Sequence, residues 1–158
     1  MRADTQADSL EAMMQKHQIY PCYTLALPPF EVKKRALKEL KRGDILLLGF
    51  ERLSLVLLDE KRGNAEVMIE HHHALDRLRI VSLGELTRDH LSKKYQVVTA
   101  ILGEVPCKKL EVGHVIGAMD LDFGHLDIIA GKKKIAEGSL VNTDGRIALQ
   151  INEVLPSL

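Results

Sequence analysis

The 158-residue chain has no tryptophan, three tyrosines and three phenylalanines. Its core must be built from leucine, isoleucine and valine, which suits small and simply packed units. Cysteine is scarce too, with only Cys22 and Cys107. Two thiols are too few for a disulfide framework, and their spacing fits no zinc motif; they read as ordinary thiols in a reducing compartment. No charge of either sign is in excess, since 22 basic residues face 22 acidic ones. The balance holds locally, with 13 basic and 12 acidic residues up to position 84 and 9 and 10 beyond it. A nucleic-acid-binding protein ordinarily carries a basic surplus, so none is expected as a partner. No run approaches the roughly 18 apolar residues of a membrane span, and the opening MRADTQADSLEAMM has no apolar signal core. These absences predict a cytoplasmic, soluble chain that can still dock on a membrane-bound machine.

Catalytic patterns are missing as well. No G-x-S-x-G, H-E-x-x-H or C-x-x-C occurs, and GKKK at 131–134 lacks the spacing of a phosphate loop and reads as a hairpin turn with solvated lysines. His71, His72 and His73 are adjacent, but neighbouring residues on a strand point to opposite faces, so the three cannot share one ion. His90, His114 and His125 are scattered singly. No metal, cofactor or enzymatic activity is expected. The Arg-Gly-Asp at 42–44 reads as a turn.

What is present is a pattern seen twice. Residues 8–18 (DSLEAMMQKHQ) read as a short helix opened by Asp8 with Glu11 three places on. Residues 19–30 read as an extended segment broken by prolines, and 31–42 as a helix-permissive run with six basic residues that form a solvated face. A Gly43-Asp44 turn then leads into the apolar ILLL strand, a hairpin turning at 61–64, and a closing strand through Leu78 and Ile80. Residues 84–94 are polar and read as a linker. The second pass starts at Tyr95. Leu40-x-x-Gly43-Asp44-Ile45 lines up with Leu110-x-x-Gly113-His114-Val115. One added residue later, Leu55, Leu57 and Leu58 line up with Leu126, Ile128 and Ile129, Ala65-Glu66 with Ala136-Glu137, and Leu78 and Ile80 with Leu149 and Ile151. A long period occurring twice means duplicated domains and not a solenoid. The expected layout is a helix or tail at 1–18, a first domain at 19–83, the linker at 84–94 and a second domain at 95–158.

Each unit is only about 60–70 residues and is marginal alone. Its strands add to the difficulty. In 53–58, Leu53, Leu55 and Leu57 face one way while Val56 and Leu58 face the other, and ILLL at 45–48 is also apolar on both faces. Such strands must be covered twice, so one copy is expected to cover the other. By contrast, 147–152 alternates, with Ile147, Leu149 and Ile151 inward and Gln150 and Asn152 outward.

The second pass resembles the SpoA (surface presentation of antigens) domain of FliN/FliM-type flagellar motor switch proteins and SctQ-type secretion ring components. The resemblance is carried by the turn at 110–116 and by the ending at 135–155, with Ala136-Glu137-Gly138, Asp144-Gly145-Arg146 and Ile147-Ala148-Leu149-Gln150-Ile151. The family's G-D stands as Gly113-His114 here but as Gly43-Asp44 in the first pass, which in turn lacks the D-G-R turn. The resemblance implies a mainly β fold with short helices, in which two tandem units swap segments into one intertwined barrel- or saddle-like dimer. It implies a scaffold of a cytoplasmic ring or sorting platform. The partners it implies are other SpoA-domain proteins and an ATPase regulator of the FliH/SctL type, with peripheral association to a membrane-embedded export machine. The residues expected to carry pairing and partner contact are Leu46, Leu48, Leu55, Leu57, Val115, Ile116, Ile128 and Ile129. A small-molecule-binding β-barrel sensor is the competing expectation, and it requires an apolar internal cavity.

Overall fold

A computed structural model describes residues 20–49, 52–59, 63–72, 75–84 and 93–156. The expected helix at 8–18 and most of the 84–94 linker lie outside the described residues. The described chain is mainly β. Its strands are β1 (Cys22–Ala26), β2 (Phe30–Lys33), β3 (Ile45–Leu47), β4 (Leu55–Leu58), β5 (Asn64–His72), β6 (Leu75–Gly84), β7 (Tyr95–Pro106), β8 (Val115–Met119), β9 (Leu126–Ala130), β10 (Lys133–Thr143) and β11 (Arg146–Val154). One five-residue helix, α1 (Lys34–Lys38), follows β2.

Local chemistry explains these elements. Leucine, valine and isoleucine runs fill the strands, and glycines break them at the turns. Asp144 and Gly145 both take positive φ, 52° and 79°, and so form the two-residue loop that matches the twist of β10 and β11. Leu27-Pro28-Pro29 separates β1 from β2, since proline offers no N–H to a ladder. Residues 31–42 are mostly not helical, contrary to their composition. Residues 30–33 are drawn into a ladder with β7, and the helix that remains has no acidic residue in its first turn and no side-chain cap. Without either, a short charged helix gains little, and it stops after little more than one turn.

All eleven strands join one antiparallel sheet in the order β3-β11-β10-β9-β7-β1-β4-β5-β6-β8, with β2 also on β7. The order reads the same from either end once each first-half strand is exchanged for its second-half counterpart. The registers agree residue by residue. Leu55 opposite Val67 and Leu57 opposite Ala65 recur 71 positions later as Leu126 opposite Gly138 and Ile128 opposite Ala136 (126 − 55 and 128 − 57). Ile69 opposite Leu78 recurs as Leu140 opposite Leu149. Even the irregularity recurs, a bulge between Glu66 and Val67 and another between Glu137 and Gly138.

The middle of the sheet is its own counterpart. Ala26 stands opposite Ile101, with Tyr23 opposite Val105 on one side and Phe30 opposite Val98 on the other. Both flanking pairs are related by a 75-residue shift (98 − 23 and 105 − 30), so a local twofold axis passes beside Ala26 and Ile101. β1 and β2 together thus mirror the single long strand β7.

One core cluster draws on the whole sheet. It joins Leu25, Leu57, Leu78 and Ile80 to Leu126, Ile128, Leu149 and Ile151, each at most 2% exposed. Leu48 beside β3 and Ile116 of β8 belong to it too, although those strands end the sheet. A sheet whose two edges share a core with its centre must be strongly curled. The path stays open, because its end strands β3 and β8 are not neighbours in the ladder.

Candidate interaction surfaces

The two halves hold each other through a reciprocal exchange of strands. β3, from the first half, pairs with β11 of the second, and β8, from the second, pairs with β6 of the first. Leu46 stands opposite Leu149, and Ile116 stands opposite Leu78 in the matching register. The preceding turns dock identically. Gly43 and Gly113 both have φ of 92°, a conformation that favours glycine. The Gly43 N–H donates to the Ile151 carbonyl at 2.8 Å, and the Ile151 N–H donates back to the Asp44 carbonyl at 2.8 Å. The Gly113 N–H donates to the Ile80 carbonyl at 2.8 Å, and the Ile80 N–H donates to the His114 carbonyl at 2.9 Å. The Asp44 carboxylate also accepts the Lys41 N–H at 2.8 Å and so locks its own turn.

The eight residues singled out from sequence divide by depth. Leu55, Leu57 and Ile128 have no exposed surface, and Leu48 and Ile116 are 7% exposed. These five meet in the common core, with Leu46 packed against it. Val115 and Ile129 are half-buried and lie outside that cluster. Fully covered side chains hold the halves together but offer nothing to an external molecule while the fold is intact. Burying each leucine or isoleucine contributes about 1.5–3 kcal/mol.

The surface chemistry that sequence reasoning did not single out lies on the opposite face of the same strands. Ile45 is 48% and Leu47 58% exposed on edge strand β3. The sequence signal was there, in an apolar run with no alternation. Such a run predicts cover on both faces, yet β3 is covered on one. Near the counterpart edge the outer face is mixed, with Met68, Leu75 and Leu83 exposed beside charged side chains. The Arg79 guanidinium on β6 donates to Glu70 of β5 at 2.7 Å, and both side chains are partly exposed, so the pair adds little stability.

Among the described residues, the titratable groups of Cys107 and Asp122 are shifted by identifiable contacts. Burial pushes the Cys107 thiol above its ordinary range, against the effect of its contact with the Lys109 backbone, and it stays protonated at neutral pH. The Gly124 N–H, then the His125 ring, hold the exposed Asp122 carboxyl below its usual range. His71 contacts Asp76, and His73 lies outside the described residues. Among the described residues no three of His, Cys, Asp and Glu gather as metal ligands, and no helix is long and apolar enough to cross a membrane. No protein-family model matches the chain, and a search of curated proteins returns no match.

Proposed function

We propose that the chain is a structural scaffold in the cytoplasmic ring of a type III export apparatus, a flagellar motor switch or an injectisome sorting platform. It acts by binding proteins and not by catalysis. The observation that carries this reading is the reciprocal pairing of β3 with β11 and β8 with β6, which match at Leu46–Leu149 and Ile45–Gln150 against Ile116–Leu78 and Val115–Arg79. An intramolecular pair of tandem SpoA units, at 19–83 and 95–158, accounts for it. The turn glycines Gly43 and Gly113 and the Asp144-Gly145 loop fall on the residues through which the sequence resembles that family.

In this reading the internal exchange satisfies most of each unit's need for a partner and leaves the outer surfaces to recruit others. Those others are further SpoA-domain proteins and an ATPase regulator of the FliH/SctL type, at a site peripheral to the membrane-embedded machine. Isothermal titration of the chain with N-terminal peptides from regulators of both types tests the proposal. Saturable binding to one of them is expected, and absence of binding to either overturns it. The competing sensor reading requires a hollow interior. Leu25, Leu57 and Ile128 are instead buried together in one common core, which supports the scaffold reading.

A further inference from the structure

The sequence holds two basic clusters that composition alone assigns to solvated faces, the run at 31–42 and the lysines at 132–134. The fold brings them together. β2 lies along the start of β7, from Phe30 opposite Val98 to Lys33 opposite Tyr95, and β9 lies on β7 at Val98. α1 therefore faces the β9–β10 turn across the start of β7. Between them is a groove of about 580 Å³, closed at one side by Val154, Leu155 and Pro156. The Leu155 N–H donates to the Ile135 carbonyl at 2.9 Å, which fixes that side to β10.

The groove has two kinds of lining. Leu37, Leu40, Ile135 and Leu155 supply half-buried apolar surface. Lys34, Lys38 and Lys133 stand exposed around it, and among the described residues none of them has a carboxylate partner. Lys134 also lines it, but its ammonium is held by Glu137 at 2.7 Å and Asp127 at 3.0 Å. In a chain with no net charge, three free lysines around one apolar recess form a local positive field. The complement of that arrangement is a segment with apolar residues on one face and carboxylates beside them.

We propose that this groove receives an acidic amphipathic segment of a partner protein, its apolar residues resting on Leu37, Leu40, Ile135 and Leu155 and its carboxylates meeting Lys34, Lys38 and Lys133. The proposal rests on the groove alone and holds whichever machine the chain serves. A concave apolar recess suits an inserted segment better than a flat lipid surface. It also carries no aromatic ring on which a nucleic-acid base would stack.

The test uses the full chain and a fluorescent 14-residue peptide with leucine at positions i, i+3, i+4 and i+7 and glutamate elsewhere, read by anisotropy. Saturable binding that weakens as salt rises is expected, because added ions screen exposed charges. Combining Lys34→Glu, Lys38→Glu and Lys133→Glu reverses three exposed charges without touching the core, and affinity should fall about tenfold or more. Lys108→Glu, on an exposed residue outside the groove, should leave it unchanged. Circular dichroism of each variant verifies that the fold is kept. The proposal is overturned by failure of the acidic peptide to bind, by equal binding of a peptide with lysine in place of glutamate, or by equal binding to the triple variant. It is also overturned if an anionic vesicle or a single-stranded oligonucleotide binds more tightly than the peptide and loses binding in the triple variant.

Discussion

Because the halves share one core, a cavity cut into either should weaken both together. Leu57 and Ile128 occupy matching positions on β4 and β9, and neither has exposed surface. Their ladder neighbours differ. Leu57 stands opposite Leu25 and Ala65, whereas Ile128 stands opposite Ala100 and Ala136. A leucine can swing part-way into a vacated space, and an alanine cannot. Truncation of buried leucine or isoleucine to alanine costs about 2–5 kcal/mol, more where the site collapses less, so Leu57→Ala should cost about 3 kcal/mol and Ile128→Ala about 4. At about 2–4 °C per kcal/mol for a domain of this size, the melting temperature falls by about 6–12 °C and about 8–16 °C respectively. The assay is urea and thermal unfolding followed by circular dichroism at several wavelengths. Each variant should show one cooperative transition, displaced as a whole. Two transitions, with only that of the mutated half displaced, would refute the shared core and the strand exchange behind it.

Four further outcomes follow from particular contacts. Cleavage of the chain between Gly84 and Lys93 should leave the fragments co-eluting on size-exclusion chromatography, because β3 stays on β11 and β8 on β6; separate elution would contradict that pairing. Gly138→Ala should destabilise by about 1–3 kcal/mol in urea, since an added Cβ would lie 2.7 Å from the Gln150 carbonyl oxygen, a backbone atom with little room to retreat. Cys107 is 2% exposed with its thiol pKa raised by burial, so iodoacetamide should label it slowly in the native state and readily in urea. Asp122 has a lowered carboxyl pKa, and its small contribution to stability is present above the ordinary value near 3.8 and lost as pH falls through the folded value. Asp122→Asn should therefore lower the melting temperature slightly at neutral pH, and the difference should vanish in acid.

The internal repeat was legible in sequence because turns and buried positions leave local marks. Gly43 and Gly113 must adopt positive φ, Asp144-Gly145 fits only a tight hairpin, and Leu55, Leu57, Leu126 and Ile128 keep a spacing of two. Which edge each strand joins was not legible from pattern alone. The apolar run of β3 demands cover, but its side-chain period is the same whether it joins its own half or the other. Residues 31–42, helix-permissive by composition, are helical only over Lys34–Lys38 for a different reason. Their helix-forming composition is local, and the ladder of β2 on β7 is a contact between residues about 65 positions apart, which overrides it. The groove above α1 was hidden likewise, because its basic clusters are distant in sequence and meet only when β2 and β9 flank β7.

The two halves constrain each other unequally on their two faces, and that inequality bears on function. Inward positions keep their character from one half to the other, as with Leu57 and Ile128, Leu78 and Leu149, or Ile80 and Ile151. Outward positions in the same registers do not. Where the first half places Glu70 and Arg79, the second places Val141 and Gln150; where the first half exposes Met68, the second places Ser139; and where β8 carries Gly117, β3 carries the exposed Leu47. If the sheet existed only to be stable, either outer face would serve equally well at both ends. The same pairing scheme instead carries different outer side chains at its two ends, Met68, Leu75 and Leu83 beside charges at one and Ile45 and Leu47 at the other. The exchange thus works as a frame that presents two different outer surfaces on one shared core.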